Sequence, residues 1–365
     1  MATPYQRQAR ETPAYAWWKL PVVGLLTVVF YLGLTIVLVV AGATYLAIKG
    51  GGTTVEDWLD ATGDLDLAHL DFFVLDLLGL AILTPALLLA VLVVGPRPVG
   101  YFSSVAGRLR WGWLARTAAI SFTVFIVTIG ASVAIDAANG EDVDIGTGDR
   151  GHMVLAIVLV LLVVPFQAAA EEYVFRGYVL QLVGSWTRFA AIPVIVSVPI
   201  FVAGHAYELW GLVDVGIFGL TAAILVIRTG GLEAAIAAHV ANNVVLFVLD
   251  ALGTISASDD TGATAIDVLP TVVSSVVLLV WIEWSARRHG IQRTREPLPV
   301  PPPPQAPMWP PPPWGLPQDV APWLLVPQHA PQQVQQPPVP PRAPAPPLHP
   351  GTPPYPGEID PDWGR

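Results

Sequence analysis

The chain of 365 residues has no cysteine and few charged side chains. The lack of cysteine excludes disulfides, thiolate catalysis, thiolate zinc sites and iron–sulfur clusters. Charged residues make up 13% of the chain, whereas soluble proteins contain roughly 25%. The net charge of −10, with no basic stripe to offset it, argues against nucleic-acid binding. With a mean hydropathy of +0.58, the composition indicates a protein whose main surroundings are lipid.

Eight apolar stretches approach the roughly 20 residues that a helix needs to span a bilayer. They cover residues 20–48, 72–94, 113–135, 153–170, 189–206, 213–227, 232–248 and 266–281. The first stretch is far longer than the hydrophobic part of a secretory signal peptide, and no small-residue cleavage site follows it promptly. We therefore predict an all-α, polytopic membrane helix bundle with about eight transmembrane helices, embedded in the lipid bilayer.

Basic and acidic connections alternate between these stretches. Arginine and lysine cluster before the first stretch and after every second one, whereas the other connections carry mainly aspartate and glutamate. Because lysine and arginine accumulate in short cytoplasmic loops, this pattern predicts that both termini are cytoplasmic. The setting that fits is a cell membrane, in the first place a bacterial inner membrane. Arg176 and Arg188 supply the basic charges after the fourth stretch, which predicts Arg176 near the membrane interface.

The composition divides the chain into three parts. Residues 1–19 form a cytoplasmic N-terminal segment, and residues 20–284 form the transmembrane domain. Residues 285–365 form a basic and then proline-rich tail, which holds most of the 37 prolines. Proline cannot donate backbone hydrogen bonds, so we predict a disordered cytoplasmic tail. Its interleaved tryptophans could bind a membrane surface or a protein with a proline-recognition groove; the alternative is an extension that activity does not need.

Ionisable side chains within hydrocarbon are costly, so each one is a candidate for function. Glu171 and Glu172 end the fourth apolar stretch, and Arg176 follows four residues after Glu172. Residues four apart share a helix face, which suits an ion pair between Glu172 and Arg176 and leaves Glu171 free. Taken alone, such a pair is more often an interfacial salt bridge than a catalytic site.

Two histidines lie at a depth similar to that of Glu171. His205 ends the fifth stretch, and His239 lies in the seventh, four residues before Asn243 on the same helix face. At about 1.5 Å of rise per residue, Glu171, His205 and His239 converge in a cavity open to the cytoplasm, within the inner leaflet.

Two chemistries suit these residues. A carboxylate beside an imidazole can deprotonate water, while a second imidazole and a carboxamide stabilise an oxyanion. The alternative is a divalent metal such as zinc, held by Glu171, His205 and His239. Neither an HExxH nor a GxSxG sequence occurs. Outside catalysis, a membrane transporter that relays ions, or a non-catalytic scaffold or immunity protein, is the alternative.

Three motifs occur in order on three predicted helices. They are EExxxRG from Glu171 to Gly177, FxxxH from Phe201 to His205, and HxxxN from His239 to Asn243. In this order they resemble the CAAX-processing and bacteriocin-processing (CPBP, or Abi) intramembrane endopeptidases, and the resemblance covers roughly residues 113–284. It implies a peptide or protein substrate, which in eukaryotic members is prenylated.

The resemblance also implies roles for individual residues. Glu171 with His205 would activate water, and His239 with Asn243 would stabilise the oxyanion. Glu172 with Arg176 would hold the hairpin, and Phe201 is the first residue of the His205 motif. Members of the family are often described as metalloproteases, so metal-assisted and metal-free hydrolysis both stay open. The expected function is therefore that of an intramembrane endopeptidase.

Overall fold

The computed structural model describes residues 2–50, 54–61, 65–140, 149–258 and 260–296. The proline-rich tail from residue 297 onward lies outside the described residues. Its expected disorder, its partner with a proline-recognition groove and the three-part division of the chain therefore stay predictions.

Helices make up most of the described chain, which confirms the predicted all-α class. In chain order they are α1 (Lys19–Lys49), α2 (Val55–Asp60), α3 (Leu70–Ala81), α4 (Leu83–Val94), α5 (Trp111–Ala138), α6 (Arg150–Glu172), α7 (Leu180–Gly184), α8 (Ala191–Val202), α9 (Leu209–Thr229), α10 (Glu233–Ala251) and α11 (Leu269–Arg288). Short 3-10 helices cover Tyr5–Glu11 and Val99–Phe102, and a π-helix covers Tyr173–Val179. Two-residue strands, β1 (Thr3–Pro4) and β2 (Thr294–Arg295), pair antiparallel.

Seven helical units of the described chain are long and apolar enough to cross a membrane. Helices α3 and α4 form one of these units, and α6, the π-helix and α7 form another of 35 residues. Helices α1, α5, α9, α10 and α11 form the others. Only 11% of the most apolar segment of α1 is buried inside the protein, so most of its apolar surface faces outward. Because such surface is compatible with lipid and not with water, the chain is a multi-pass membrane protein.

The predicted fifth helix, residues 189–206, is shorter than the sequence indicated. Helix α8 has 12 residues, or about 18 Å of rise, whereas the hydrocarbon core of a bilayer is roughly 30 Å thick. Pro199 has no N–H for the helical ladder, and tight turns at Ala203 and Gly204 end the helix. The described chain thus has seven long helical units and a short one, and His205 lies in a loop after α8.

Helix α10 lies at the centre of the bundle, packed against α5, α6 and α9. Its first half is rich in alanines that are almost completely buried: Ala234, Ala235, Ala237, Ala238 and Ala241. Small side chains let neighbouring backbones approach closely, which is how helices commonly associate in membranes. This packing brings His239, on the same helix, into the protein interior.

Several basic connections meet at one end of the bundle, where they fix the start of α10. Arg110, which precedes α5, binds the fully buried Glu233 through two nitrogens, Nε to Oε1 at 2.8 Å and Nη2 to Oε2 at 2.7 Å. A bidentate pair of this kind holds geometry well, and a carboxylate is favoured in the first turn of a helix. At the same end, β1 and β2 join the N-terminal segment to the residues after α11.

Candidate active site

The helix that carries the two adjacent glutamates widens directly after them. Helix α6 ends at Glu172, and the following π-helix carries Arg176. Single π-helical turns inside α-helices occur frequently at functional sites. Arg176 Nη1 donates to Glu172 Oε1 at 2.8 Å, and both side chains are completely buried. This confirms the predicted ion pair; protein encloses the Arg176 side chain on every side, and its position near the membrane interface stays a prediction.

The surroundings of Arg176 come from two other helices. Its Nη2 donates to the carbonyl of Gly219 on α9 at 3.1 Å, and its guanidinium lies 4.0 Å from the ring centre of Phe201 on α8. A side chain on Gly219 would place its Cβ 3.2 Å from Arg176 Nη2 and 3.1 Å from Phe201 Cδ1, so glycine permits this close approach. The cation–π contact and the carbonyl partly compensate for the burial of the guanidinium.

His239 lies between the two glutamates. Its Nδ1 is 2.9 Å from Glu172 Oε1, and its Nε2 is 3.8 Å from Glu171 Oε2. The side chain is almost completely buried, with the ring of Phe218 packed edge-on against it at 5.2 Å. Because an ionised carboxylate only accepts hydrogen bonds, Nδ1 carries a hydrogen, and Glu172 orients the ring much as carboxylates orient catalytic histidines.

Glu171 differs from its neighbour in having no guanidinium partner. Its Oε1 accepts a hydrogen bond of 2.6 Å from Gln167 Nε2. Its Oε2 is buried, has no hydrogen-bond partner among the described residues, and faces His239 Nε2. The predicted division into a paired Glu172 and a free Glu171 therefore matches the geometry, and Glu171 keeps one oxygen that can accept a proton.

His205 lies at the more open edge of the site. It is half-buried, its neighbours Ala203, Gly204 and Ala206 are exposed, and its Nδ1 is 3.0 Å from the carbonyl oxygen of Phe201. A carbonyl only accepts, so Nδ1 carries the hydrogen and Nε2 of the neutral ring presents its lone pair. Electrostatic interactions connect the ring to Glu171 and His239, although no direct hydrogen bond to either of them is present in the described chain.

Asn243 meets the site through amide side chains. Its Nδ2 donates to Gln167 Oε1 at 3.4 Å, and its Oδ1 accepts from Asn242 Nδ2 at 3.1 Å. Our reading of the sequence assigned no role to Gln167, although it lies four residues before Glu171 on α6. That spacing is the same signal that predicted the pair of Glu172 and Arg176.

Three buried polar atoms of the site lack hydrogen-bond partners among the described residues. Glu171 Oε2, Glu172 Oε2 and Arg176 Nε have no hydrogen-bond partner within the described part of the protein. Folded proteins leave few buried polar atoms unpaired, and those that exist often belong to functional sites. In addition, Glu171 lies beside the pair of Glu172 and Arg176 without a guanidinium partner of its own in the described chain, so the cluster buries one more carboxylate than a simple ion pair does.

The proposed metal ligands Glu171, His205 and His239 are not arranged around a common point. Within the described ranges, no three His, Asp or Glu side chains lie close enough together to hold a metal ion. Glu171 Oε1 is bound to Gln167 and His239 Nδ1 to Glu172. This arrangement does not fit a metal ion, whereas it does fit proton transfer between Glu171, His239 and a reacting group.

Comparison with known proteins agrees with this site. Residues 153–245, about a quarter of the chain, match the family model described as type II CAAX prenyl endopeptidase Rce1-like. The matched segment contains all eight residues named by the three motifs: Glu171, Glu172, Arg176, Gly177, Phe201, His205, His239 and Asn243. The match confirms the predicted resemblance to the CAAX-type intramembrane endopeptidases.

One curated relative is an uncharacterized protein, YyaK, from Bacillus subtilis (strain 168). It is 25% identical over 170 residues, which cover 44% of this chain and 56% of the relative. The chain therefore spans little more than half the length of this relative. No solved structure matches the chain.

Proposed function

We propose that this protein is an intramembrane endopeptidase that hydrolyses a peptide bond with water activated by Glu171. The matched family is one of CAAX prenyl endopeptidases, which supports peptidase activity in general. The observation that carries the specific proposal is the free, buried Oε2 of Glu171, 3.8 Å from His239 Nε2. Glu172, whose charge is matched by Arg176, is the less suitable base of the two.

The proposed reaction begins with a water molecule between Glu171 and His205. One water hydrogen points to Glu171 Oε2 and the other to the Nε2 lone pair of His205. As the water oxygen bonds to the peptide carbonyl carbon, its proton passes to Glu171 and the carbonyl oxygen becomes an oxyanion. The same proton then passes from Glu171 to the leaving amine as the C–N bond breaks. No covalent acyl-enzyme forms in this sequence.

The oxyanion would be stabilised by donors on α10. His239 donates from Nε2 when the ring carries both hydrogens, and Glu172 holds it in that orientation through Nδ1. Asn243 has a second amide hydrogen besides the one directed at Gln167. Donors that are fixed in place before the reaction are the most effective for such a charge. Glu172, Arg176 and Phe201 would act by positioning these groups.

We further propose that the basic end of the bundle faces the cytoplasm of a cell. The proposed substrate is a peptide or protein, lipidated or not. The cysteine-free sequence allows a direct test of orientation. A single cysteine introduced at Arg108 should be protected from a membrane-impermeant thiol reagent added to intact cells, whereas one introduced at Glu56 should be labelled.

Activity should be tested with purified protein in detergent. The probes are a C-terminal CAAX-type peptide in farnesylated and unmodified forms, together with peptides from a membrane-protein digest, and new termini are read by mass spectrometry. We expect Glu171→Gln to lower the rate of cleavage by about 10³-fold, with the same melting temperature. Glu56→Gln, an exposed glutamate on α2, serves as the matched control. Full activity of Glu171→Gln would refute the proposal.

Whether hydrolysis requires a bound metal ion needs a separate measurement. If hydrolysis depends on the carboxylate and imidazoles alone, the wild-type rate should persist after dialysis against a strong chelator. Loss of activity, with recovery on addition of zinc, would instead support the metal-assisted alternative with Glu171, His205 and His239 as ligands.

A further inference from the structure

Gln167 connects the two helices that carry the site. It lies on α6, one turn before Glu171, and only 4% of it is exposed. Its Nε2 donates to Glu171 Oε1 at 2.6 Å, and its Oε1 accepts from Asn243 Nδ2 at 3.4 Å across to α10. One buried amide therefore contacts both the carboxylate and the carboxamide to which we assign chemical roles.

The chemistry of the carboxylate determines which way this amide points. An ionised carboxylate only accepts hydrogen bonds, so the NH2 group of Gln167 must face Glu171. The amide oxygen then necessarily faces α10, where it can receive a hydrogen from Asn243. This in turn directs the oxygen of Asn243 toward Asn242, whose Nδ2 lies 3.1 Å away. The orientation of three side chains thus follows from the single bond between Gln167 and Glu171.

The same bond determines which oxygen of Glu171 is free. With Oε1 held by Gln167, Oε2 is left facing His239. Without that donor the carboxylate could rotate about its terminal torsion, which is a broad and soft one.

We propose that Gln167 is a positioning residue for hydrolysis: it orients the Glu171 carboxylate, and it aligns Asn243 with it across α6 and α10. This inference rests on the proposed function, because it assigns to Gln167 a task only if Glu171 is the base. Gln167 itself touches neither water nor substrate in this role.

The first test is Gln167→Met, which keeps the length of the side chain and removes both hydrogen bonds. Using the peptide that the wild-type protein cleaves, we expect kcat to fall about 10–100-fold with little change in KM. A merely structural role would lower stability without this selective loss of kcat.

Gln167→Glu gives a second, shape-conserving variant. It places an acceptor opposite Glu171 Oε1 when ionised and a donor when protonated. Relative to Gln167→Met, cleavage by this variant should therefore be better at acidic pH than at alkaline pH, because only the protonated side chain restores the donor. A flat ratio of the two variants across pH would contradict the proposed hydrogen bond.

Gln181 offers a matched control. It is also a completely buried glutamine, but it bonds to the backbone at the basic end, to Tyr101 O at 2.8 Å and from Ala9 N at 2.9 Å. Gln181→Met should lower the melting temperature without lowering kcat per folded molecule. If Gln167→Met behaves like Gln181→Met, Gln167 is only structural and the inference fails.

A double-mutant cycle of thermal stability tests the link between Gln167 and Glu171 without any activity measurement. Melting temperatures of Gln167→Met, Glu171→Gln and the double variant should be non-additive by at least roughly 2 °C. Additive values would overturn the inference even if no substrate had been found. The two proposals also fail separately: an active Glu171→Gln refutes the function, whereas an inactive Glu171→Gln with a wild-type Gln167→Met refutes only the role of Gln167.

Discussion

Two buried glutamate–arginine pairs in this protein have very different surroundings. At the basic end, Glu233 uses both carboxylate oxygens on Arg110, which also donates to the carbonyls of Thr229 and Gln292. In the candidate site, Arg176 and His239 share one oxygen of Glu172. The second oxygen of Glu172 and Arg176 Nε have no partner among the described residues.

We interpret the pair at the basic end as structural and propose that the pair in the candidate site serves catalysis. The attraction within a buried ion pair offsets its desolvation cost only when the remaining hydrogen-bonding groups of the pair are satisfied, as they are for Glu233 and Arg110. The site pair is less complete, and an additional carboxylate, Glu171, lies directly beside it. Such strain on polar groups is tolerated where chemistry needs a free base. The variants below are chosen to break or sharpen this contrast.

The largest effect is expected for Arg176→Met. Removing one partner of a completely buried pair leaves an uncompensated carboxylate, which costs about 3–5 kcal/mol. The variant should melt at a markedly lower temperature and should lose cleavage even where it remains folded, because His239 and Glu172 would lose their arrangement. An Arg176→Met protein with wild-type stability would show that the pair is not a central part of the core.

An intermediate effect is expected for Glu233→Gln at the basic end. The Arg110 side chain is 13% exposed and keeps two backbone carbonyls, so the loss should be about 1.5–3 kcal/mol, typical of hydrogen bonds to charged groups. Stability should fall, while cleavage per folded molecule stays unchanged. A selective loss of kcat with intact stability would assign this pair to the site and so remove the contrast.

The smallest effect is expected for Gly219→Ala, which tests the close approach of α9 to Arg176. The added Cβ would lie 3.1 Å from Phe201 and 3.2 Å from Arg176. Such overpacking costs about 1–3 kcal/mol, offset in part by the better helix propensity of alanine. Gly33→Ala on the exposed face of α1, with nothing within 4 Å, is the control and should be neutral or stabilising. Equal behaviour of the two variants would contradict the tight packing around Arg176.

Local patterns were sufficient to predict much of this molecule. Apolar runs located the long helices because a helix that spans a bilayer needs roughly 20 apolar residues in succession. The spacing of four residues predicted the pair of Glu172 and Arg176 and the shared face of His239 and Asn243. The order of the three motifs along the chain then predicted which helices would pack together, and in the structure the motif residues lie close to one another.

Other features depend on contacts between helices that are distant in sequence. The short α8, whose loop carries His205, was predicted as a full span because its apolar run continues through the turns at Ala203 and Gly204. The π-helix that buries Arg176 has no marker in hydropathy. The pairing of Arg110 with Glu233 joins residues more than a hundred positions apart, which no local spacing reveals.

The sequence alone thus determined that the protein is a membrane helix bundle, which of its connections are basic and which are acidic, and which side chains could carry chemistry. These properties follow from interactions within one helix or between one helix and its solvent. Only the tertiary structure decided that Arg176 is enclosed, that Gln167 holds Glu171, and that Glu171 Oε2 faces His239. Those facts depend on how closely α6, α8, α9 and α10 pack, and that distance is set by many small side chains acting together.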